Sequence, residues 1–326
     1  MTKPPAHAAL RPSRHRGALA ALAVCAFITP RGARSEDVEP RPPRSDEVRE
    51  LRQLTGTLAR VRRDGVIRLG HRTDAVPFAF VARGRPVGYA LDLCREIASE
   101  VGAELGLPAL RVELVPVTAE DRLRRVASGA VDLECGATTS TAERRKLVAF
   151  SPTIFVSATR LLVRDAAAAR ELRDLRGAAV VVVRGTTSVP VVEELSARAG
   201  LELRRIEASD YAEAFAALDA GRAGAIAGDE VLLAGHLAQH RASSNYRPVG
   251  PALSHEPYAL ALPRGDAPLA ELVGRVFRRL AERREILAVY DRWFLKPLPS
   301  GERLGLPMSG ELEELWRIQG LPADGS

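Results

Sequence analysis

The strongest constraint on this chain is a repeated change of hydrophobic period. Short apolar runs suited to strands alternate, along its whole length, with stretches whose apolar residues recur at helical spacing. Strands are expected over residues 66–70, 111–117, 131–134 and 225–227, and helices over 47–63, 92–105, 119–128 and 191–198. In the first helix Val48, Leu51, Leu54, Leu58 and Val61 form the stripe, and Asp64-Gly65 ends it. Val180, Val181, Val182 and Val183 form a run of four β-branched residues, which marks a strand buried on both faces. This alternation predicts an α/β fold with largely parallel sheets. A strand, a Gly/Thr turn and a helix follow one another at 133–145 and again at 181–198, so two related lobes are expected.

The chain has 326 residues, 46% of them hydrophobic and 27% charged, which is ample for a sizeable core. It carries 47 Lys and Arg against 41 Asp and Glu, a formal charge of +6. That excess does not describe a basic face. Residues 1–35 hold Lys3, Arg11, Arg14, Arg16, Arg31 and Arg34 and no acid, which leaves the remainder balanced. A nucleic-acid binder spreads its basic excess over a folded surface, so no nucleic-acid partner is expected.

Residues 1–35 read as an export signal: a basic beginning, an apolar stretch over 18–28, then Thr29-Pro30 and small residues. That stretch is shorter than the roughly 20 residues needed to span a bilayer. Leu22-Ala23-Val24-Cys25 resembles a lipoprotein acylation box, but Val24 stands where a small residue belongs, so lipid anchoring at Cys25 is not favoured. Residues 36–46 are rich in Pro, Arg, Glu and Asp and read as a linker. A periplasmic location follows. Cys94 and Cys135 would then lie in an oxidising compartment, where they could pair. Buried free thiols are the expectation. The six histidines show no metal-ligand spacing, and neither a metal site nor a cofactor is expected.

Nucleophile elbows, dinucleotide fingerprints and Walker loops are absent. The polar residues that draw notice stand where strands end. Gly136-Ala137-Thr138-Thr139-Ser140 precedes Glu143-Arg144-Arg145, and Gly185-Thr186-Thr187-Ser188 precedes the second helix. Such loops present backbone N–H groups at the carboxyl edge of a sheet, where α/β proteins bind anions. Arg144 could take a carboxylate through two parallel bonds. The plainer alternative makes Thr139 and Ser140 helix caps. Asp229, after its strand, could hold an ammonium group or cap the next helix. With Arg72 and Arg122, also at strand ends, these residues suggest a pocket for a small zwitterion bearing extra negative charge.

The residues also resemble a known family, the amino-acid-binding proteins of bacterial ABC importers (family 3 amino-acid solute-binding proteins), and most closely its glutamate/aspartate-binding members. The resemblance is carried by GVIRLGHR at 65–72 with VPF at 76–78 and VGY at 87–89. It continues in DLECG at 132–136 with Thr138, Thr139, Glu143 and Arg144, in Phe150-Ser151 and in TIF at 153–155. The second half adds GTTS at 185–188, GRA at 221–223, and Asp229 before LLAG at 232–235. Together it covers residues 51–316.

This resemblance implies a two-lobed periplasmic-binding-protein fold of type II, each lobe a sheet flanked by helices, joined by two hinge strands near 159–163 and 258–262. Lobe one would span 47–160 and 261–326, and lobe two 161–260. It implies that Arg144, Thr139 and Thr187 hold an α-carboxylate, Asp229 the α-ammonium, and Arg72 and Arg122 a side-chain carboxylate. Three positions depart from the family pattern: Ala119 and Ala137 replace pocket serines, and Tyr211 replaces a histidine. An acidic amino acid, glutamate, aspartate or a close analogue, is the expected ligand, with retuning to a longer dicarboxylate or an amidated side chain as the alternative. The implied protein is a monomeric, non-catalytic binder that serves a permease at the inner membrane. A cyclohexadienyl dehydratase-like enzyme and a sensor lobe without transport are the alternatives on the same fold.

Overall fold

The computed structural model describes residues 54–323, so the expected export signal, the linker, Cys25 and the first part of the helix over 47–63 lie outside the described residues. Within them the chain runs α1 (Gly56–Asp64), β1 (Val66–His71), β2 (Asp74–Ala75), β3 (Ala79–Ala82), β4 (Arg85–Val87), α2 (Tyr89–Glu104), β5 (Arg111–Pro116), α3 (Arg122–Ala127), β6 (Leu133–Glu134), α4 (Ala142–Arg145) and β7 (Val148–Phe150). After β8 (Phe155–Ser157) come β9 (Thr159–Arg164), β10 (Ala179–Val183), α5 (Ser188–Ala199), β11 (Arg204–Ala208), α6 (Tyr211–Asp219), β12 (Ala225–Asp229), α7 (Glu230–His240) and β13 (Tyr246–Val249). The return passes through β14 (Glu256–Tyr258), β15 (Ala261–Pro263), α8 (Ala267–Glu282), α9 (Glu285–Phe294) and α10 (Gly310–Ile318).

Two five-stranded sheets form the lobes, ordered β5-β1-β6-β15-β7 and β11-β10-β12-β9-β13. They share one plan. In each, three parallel strands are followed by an antiparallel fourth, β15 in the first lobe and β9 in the second. Each fourth strand lies next to the crossing between lobes, so the two halves of the chain repeat one topology in space. Strand β10 is buried at all five positions, as a run of β-branched residues covered by helices on both faces should be.

The crossings themselves are β8 and β14, paired antiparallel from Phe155 opposite Tyr258 to Ser157 opposite Glu256. The first crossing therefore precedes the expected segment over 159–163. Leu161, Leu162 and Val163 are buried within the second sheet, because an apolar run of that kind is stable only where strands cover it on both sides. The crossing pair rests on an aromatic cluster. Phe155 stacks on Phe294 at 4.9 Å, and Phe78 meets Tyr258 edge-on at 5.1 Å. Each such buried ring contributes about 1.5–3 kcal/mol.

Helix α1 begins at Gly56, with Thr55 extended as its N-cap, and ends where Gly65 adopts the left-handed conformation. Asp266 serves two helix starts, accepting the Thr57 N–H at 2.7 Å and the Leu269 N–H at 3.3 Å. The amphipathic α8 buries Leu269, Leu272, Val273, Val276, Phe277 and Leu280 under the first lobe.

The cysteines are not free thiols. Cys94 in α2 and Cys135 after β6 form a disulfide, with Cα atoms 6.1 Å apart. The helix carrying Cys94 packs on the first sheet, which brings the thiols together across 41 residues of sequence, a proximity that local pattern does not contain.

Candidate ligand-binding cleft

The residues expected at strand ends meet where the lobes touch. Arg144 donates from Nη2 to the Gly185 carbonyl at 2.9 Å, and the Tyr211 N–H donates to Asp74 at 3.3 Å, each bond joining one lobe to the other. Gly185 has φ of 75°, and a Cβ added there would lie 2.5 Å from the Glu120 Cα. Only glycine allows the second lobe to come so near the first.

On the first-lobe wall, Arg72 leaves the end of β1 and is buried, with Nε and Nη2 each donating to an Asp74 oxygen at 2.8 Å. Arg122 opens α3, also buried. Its Nε donates to the Thr138 hydroxyl at 2.6 Å and its Nη1 to the Ala119 carbonyl. Burial lowers its pKa to about 9, helped by the nearby Arg144 and opposed by Glu134. Arg144 lies in the single turn of α4 and donates from Nη1 to the Thr139 carbonyl at 3.0 Å. Its pKa is lowered by burial and sustained by Glu256, Asp229 and Glu134.

The cap of α4 is Thr141, whose hydroxyl accepts the Arg144 N–H at 3.2 Å. The cap role expected for Thr139 or Ser140 is thus filled one position later. Thr139 is buried and bridges to the Tyr258 backbone, while the Ser140 hydroxyl has no partner. Ala119 and Ala137 are buried in the same wall and offer it no polar side chain.

The second-lobe wall is acidic. Asp229 ends β12 and precedes α7, yet its side chain makes no capping bond to that helix. It accepts instead from the Tyr258 hydroxyl and, at 3.4 Å, from the Thr159 hydroxyl. Burial raises its pKa to about 6, with Glu256 adding to the rise. Thr187, the N-cap residue of α5, donates to Glu256 at 2.8 Å. Tyr211 is buried beside Asp229, and both burial and that carboxylate push its hydroxyl pKa upward.

All eight expected residues therefore belong to this region. Four acids and phenols escaped the sequence reading. Asp74 stands two residues beyond Arg72, within reach of its guanidinium. Glu134 is completely buried beneath the arginines, and Glu256 and Tyr258 come from the second crossing strand. Glu134 alone had a readable signal, an acid at the end of an otherwise apolar strand pattern. The assembled cleft sets guanidinium groups on one side against carboxylates on the other, an arrangement suited to a ligand that carries both charges.

Comparison with known proteins is consistent with that chemistry. Residues 67–296 match the model of the bacterial extracellular solute-binding proteins, family 3. The L-glutamate/L-aspartate-binding protein of Pseudomonas aeruginosa is 37% identical over 266 residues, which cover 81% of this chain and 88% of that protein. The glutamate/aspartate import solute-binding protein of Escherichia coli is 34% identical over 263 residues, 80% of this chain and 87% of the relative. Among solved structures, a mutant of ArgBP from T. maritima superposes with a TM-score of 0.65 at 26% identity, covering 73% of this chain and 99% of that one. These relatives are binding proteins, not enzymes. With the family model spanning both sheets and the crossing strands between them, this chain belongs to the bacterial extracellular solute-binding proteins, family 3.

Proposed function

We propose that this protein captures an acidic amino acid, glutamate, aspartate or a close analogue, between its lobes and delivers it to the permease of an ABC importer at the inner membrane. The observation that carries this reading is the convergence of Arg72, Arg122 and Arg144 opposite Asp229 in one interlobe cleft. In it Arg144, Thr139 and Thr187 hold the α-carboxylate and Asp229 the ammonium, whose charge suits an ionised acid. Arg72 and Arg122 supply positive charge for the side-chain carboxylate. Ala119, Ala137 and Tyr211 leave fewer polar partners for that group than the family pattern provides, each lost bond weakening the hold by about 0.5–1.5 kcal/mol.

The disulfide between Cys94 and Cys135 supports export to an oxidising compartment, with residues 1–35 as the signal and 36–46 as linker. We assign the chain from 47 through β8, and from β14 to 326, to lobe one and the chain between those crossing strands to lobe two, with the protein acting as a monomer.

Calorimetry against glutamate, aspartate, glutamine and asparagine tests the reading. Saturable binding of at least one acidic member, tighter than its amide, is expected. No heat from any of the four at millimolar ligand overturns it.

A further inference from the structure

Glu134 has no role in the reading above, yet it is the most enclosed acid of the cleft. It is 0% exposed at the end of β6, and neither carboxylate oxygen has a donor at proper hydrogen-bond geometry, although the Thr138 hydroxyl is near enough to favour the charged form. A Cβ added at Gly136 would lie 2.4 Å from its Oε1 and 3.4 Å from the Arg72 Cγ, so the carboxylate folds back over Gly136 against the Arg72 stem. The charges facing it are Arg122 from α3, Arg72 from the end of β1 and Arg144 from α4. His71 follows its β1 neighbour Gly70, with Nδ1 3.0 Å from the Arg72 carbonyl, and β15 offers only Ala261 opposite it.

The cleft's three guanidiniums already face four carboxylates, Asp74, Glu134, Asp229 and Glu256. An acidic amino acid adds a net negative charge. Asp74 is held by Arg72, Asp229 would gain an ammonium, and Glu256 accepts from Thr187. Only Glu134 lacks such a bond. Two carboxylates sharing a water-poor site do not both stay ionised, and the proton goes to the one with fewer hydrogen bonds.

We propose that Glu134 takes up a proton when an acidic side chain enters beside Arg72 and Arg122, so that this residue sets the site's discrimination between acidic and amide ligands and couples capture of the acid to pH. The proposal rests on the acidic-amino-acid reading of the cleft. Above the pH at which free Glu134 ionises, glutamate affinity falls by up to tenfold per pH unit, the slope of a single linked proton. Glutamine shows no such loss. Asp229, which the ammonium of either ligand engages, contributes equally to both.

The test is calorimetry of glutamate binding between pH 5 and 8 in two buffers of different ionisation enthalpy, on the unaltered chain and on Glu134→Gln. The unaltered chain should take up close to one more proton than the variant within that range, and Glu134→Gln should bind glutamate about tenfold or more tightly than the unaltered chain at the upper end. Equal proton uptake at every pH overturns the proposal. Should the variant not fold, infrared difference spectra of the unaltered chain decide. With glutamate residues labelled in the backbone-distal carbon, a protonated-carboxyl band that appears with glutamate but not glutamine upholds the proposal, and its absence overturns it. Failure of every amino acid to bind would instead remove the functional reading itself.

Discussion

The two walls of the cleft are organised in opposite ways. On the first lobe the cations are anchored before any ligand arrives: Arg72 in a fork with Asp74, Arg122 on Thr138 and the Ala119 carbonyl, and Arg144 on the Thr139 carbonyl. That lobe also carries the disulfide, which fastens α2 to the end of the strand that presents Glu134. The second-lobe and crossing-strand wall has no such cross-link. Its acids Asp229 and Glu256 sit near each other, so that Glu256 raises the cost of charge on Asp229, and both carboxylates sustain the charge of Arg144 across the cleft. The first wall is thus preorganised to receive an anion, while the second holds negative charge that an entering ammonium would neutralise.

If Arg144 joins the two walls, its loss should produce the largest effect. Arg144→Ala removes a half-buried guanidinium that reaches both Thr139 and Gly185, and the expected cost to binding of every amino acid is about 4–5 kcal/mol, over a thousandfold. Calorimetry that finds glutamate bound within tenfold of the original affinity would break the contrast drawn between the walls. Next in size is the cross-link. Replacing Cys94 and Cys135 by serine reopens a 41-residue loop and should lower unfolding stability by about 4 kcal/mol in denaturant titration. A loss below about 1 kcal/mol would mean that the first lobe owes its order to packing alone.

The third effect concerns the acid wall and has a defined pH course. Asp229 has a folded pKa of about 6, above the value of 3.8 for a free aspartate, so its neutral form is the one the ligand-free fold prefers. The stability it contributes is complete below about pH 4 and disappears as pH rises to about 6, amounting to about 3 kcal/mol. Asp229→Asn should therefore unfold at a higher temperature than the original chain at pH 7, with the difference vanishing near pH 4, while amino-acid binding is lost. A variant destabilised at both pH values would show that Asp229 is a structural acid held by Tyr258 and Thr159.

The contrast between walls also explains what was readable from the residues. The buried run over 180–183, the glycine that ends α1 and the strand–turn–helix units are local patterns, set by period and capping chemistry. Arg72, Arg122, Thr139, Arg144, Thr187 and Asp229 were legible because each follows a strand, whereas Ala137 and Tyr211 were singled out only through the family resemblance. Where pairing depends on distant chain, the residues were mute. The disulfide needs α2 seated on the first sheet, and the first crossing is decided by which apolar run the second sheet can cover. Helix α2 begins at Tyr89, ahead of the expected 92, because Tyr89, Ala90 and Leu91 are buried under aromatic neighbours from elsewhere in the sequence. Glu134 and Glu256 escaped for the same reason, since only the assembled cleft shows which cations they face.

The smallest expected effect is also the most discriminating. Arg72 is paired with Asp74, so Arg72→Ala alone would strand a carboxylate and confuse loss of ligand contact with loss of a fold contact. Removing both charges together, as Arg72→Ala with Asp74→Asn, avoids that. The ammonium and α-carboxylate keep Asp229 and Arg144 in this double variant, so neutral amino acids should lose little. An acidic side chain loses one of two guanidiniums and should bind about tenfold more weakly, about 1.4 kcal/mol. Equal losses for glutamate and glutamine would place Arg72 among residues that only brace the wall, and would leave Arg122, whose pKa burial lowers to about 9 and which is therefore still charged at neutral pH, to meet the ligand side chain.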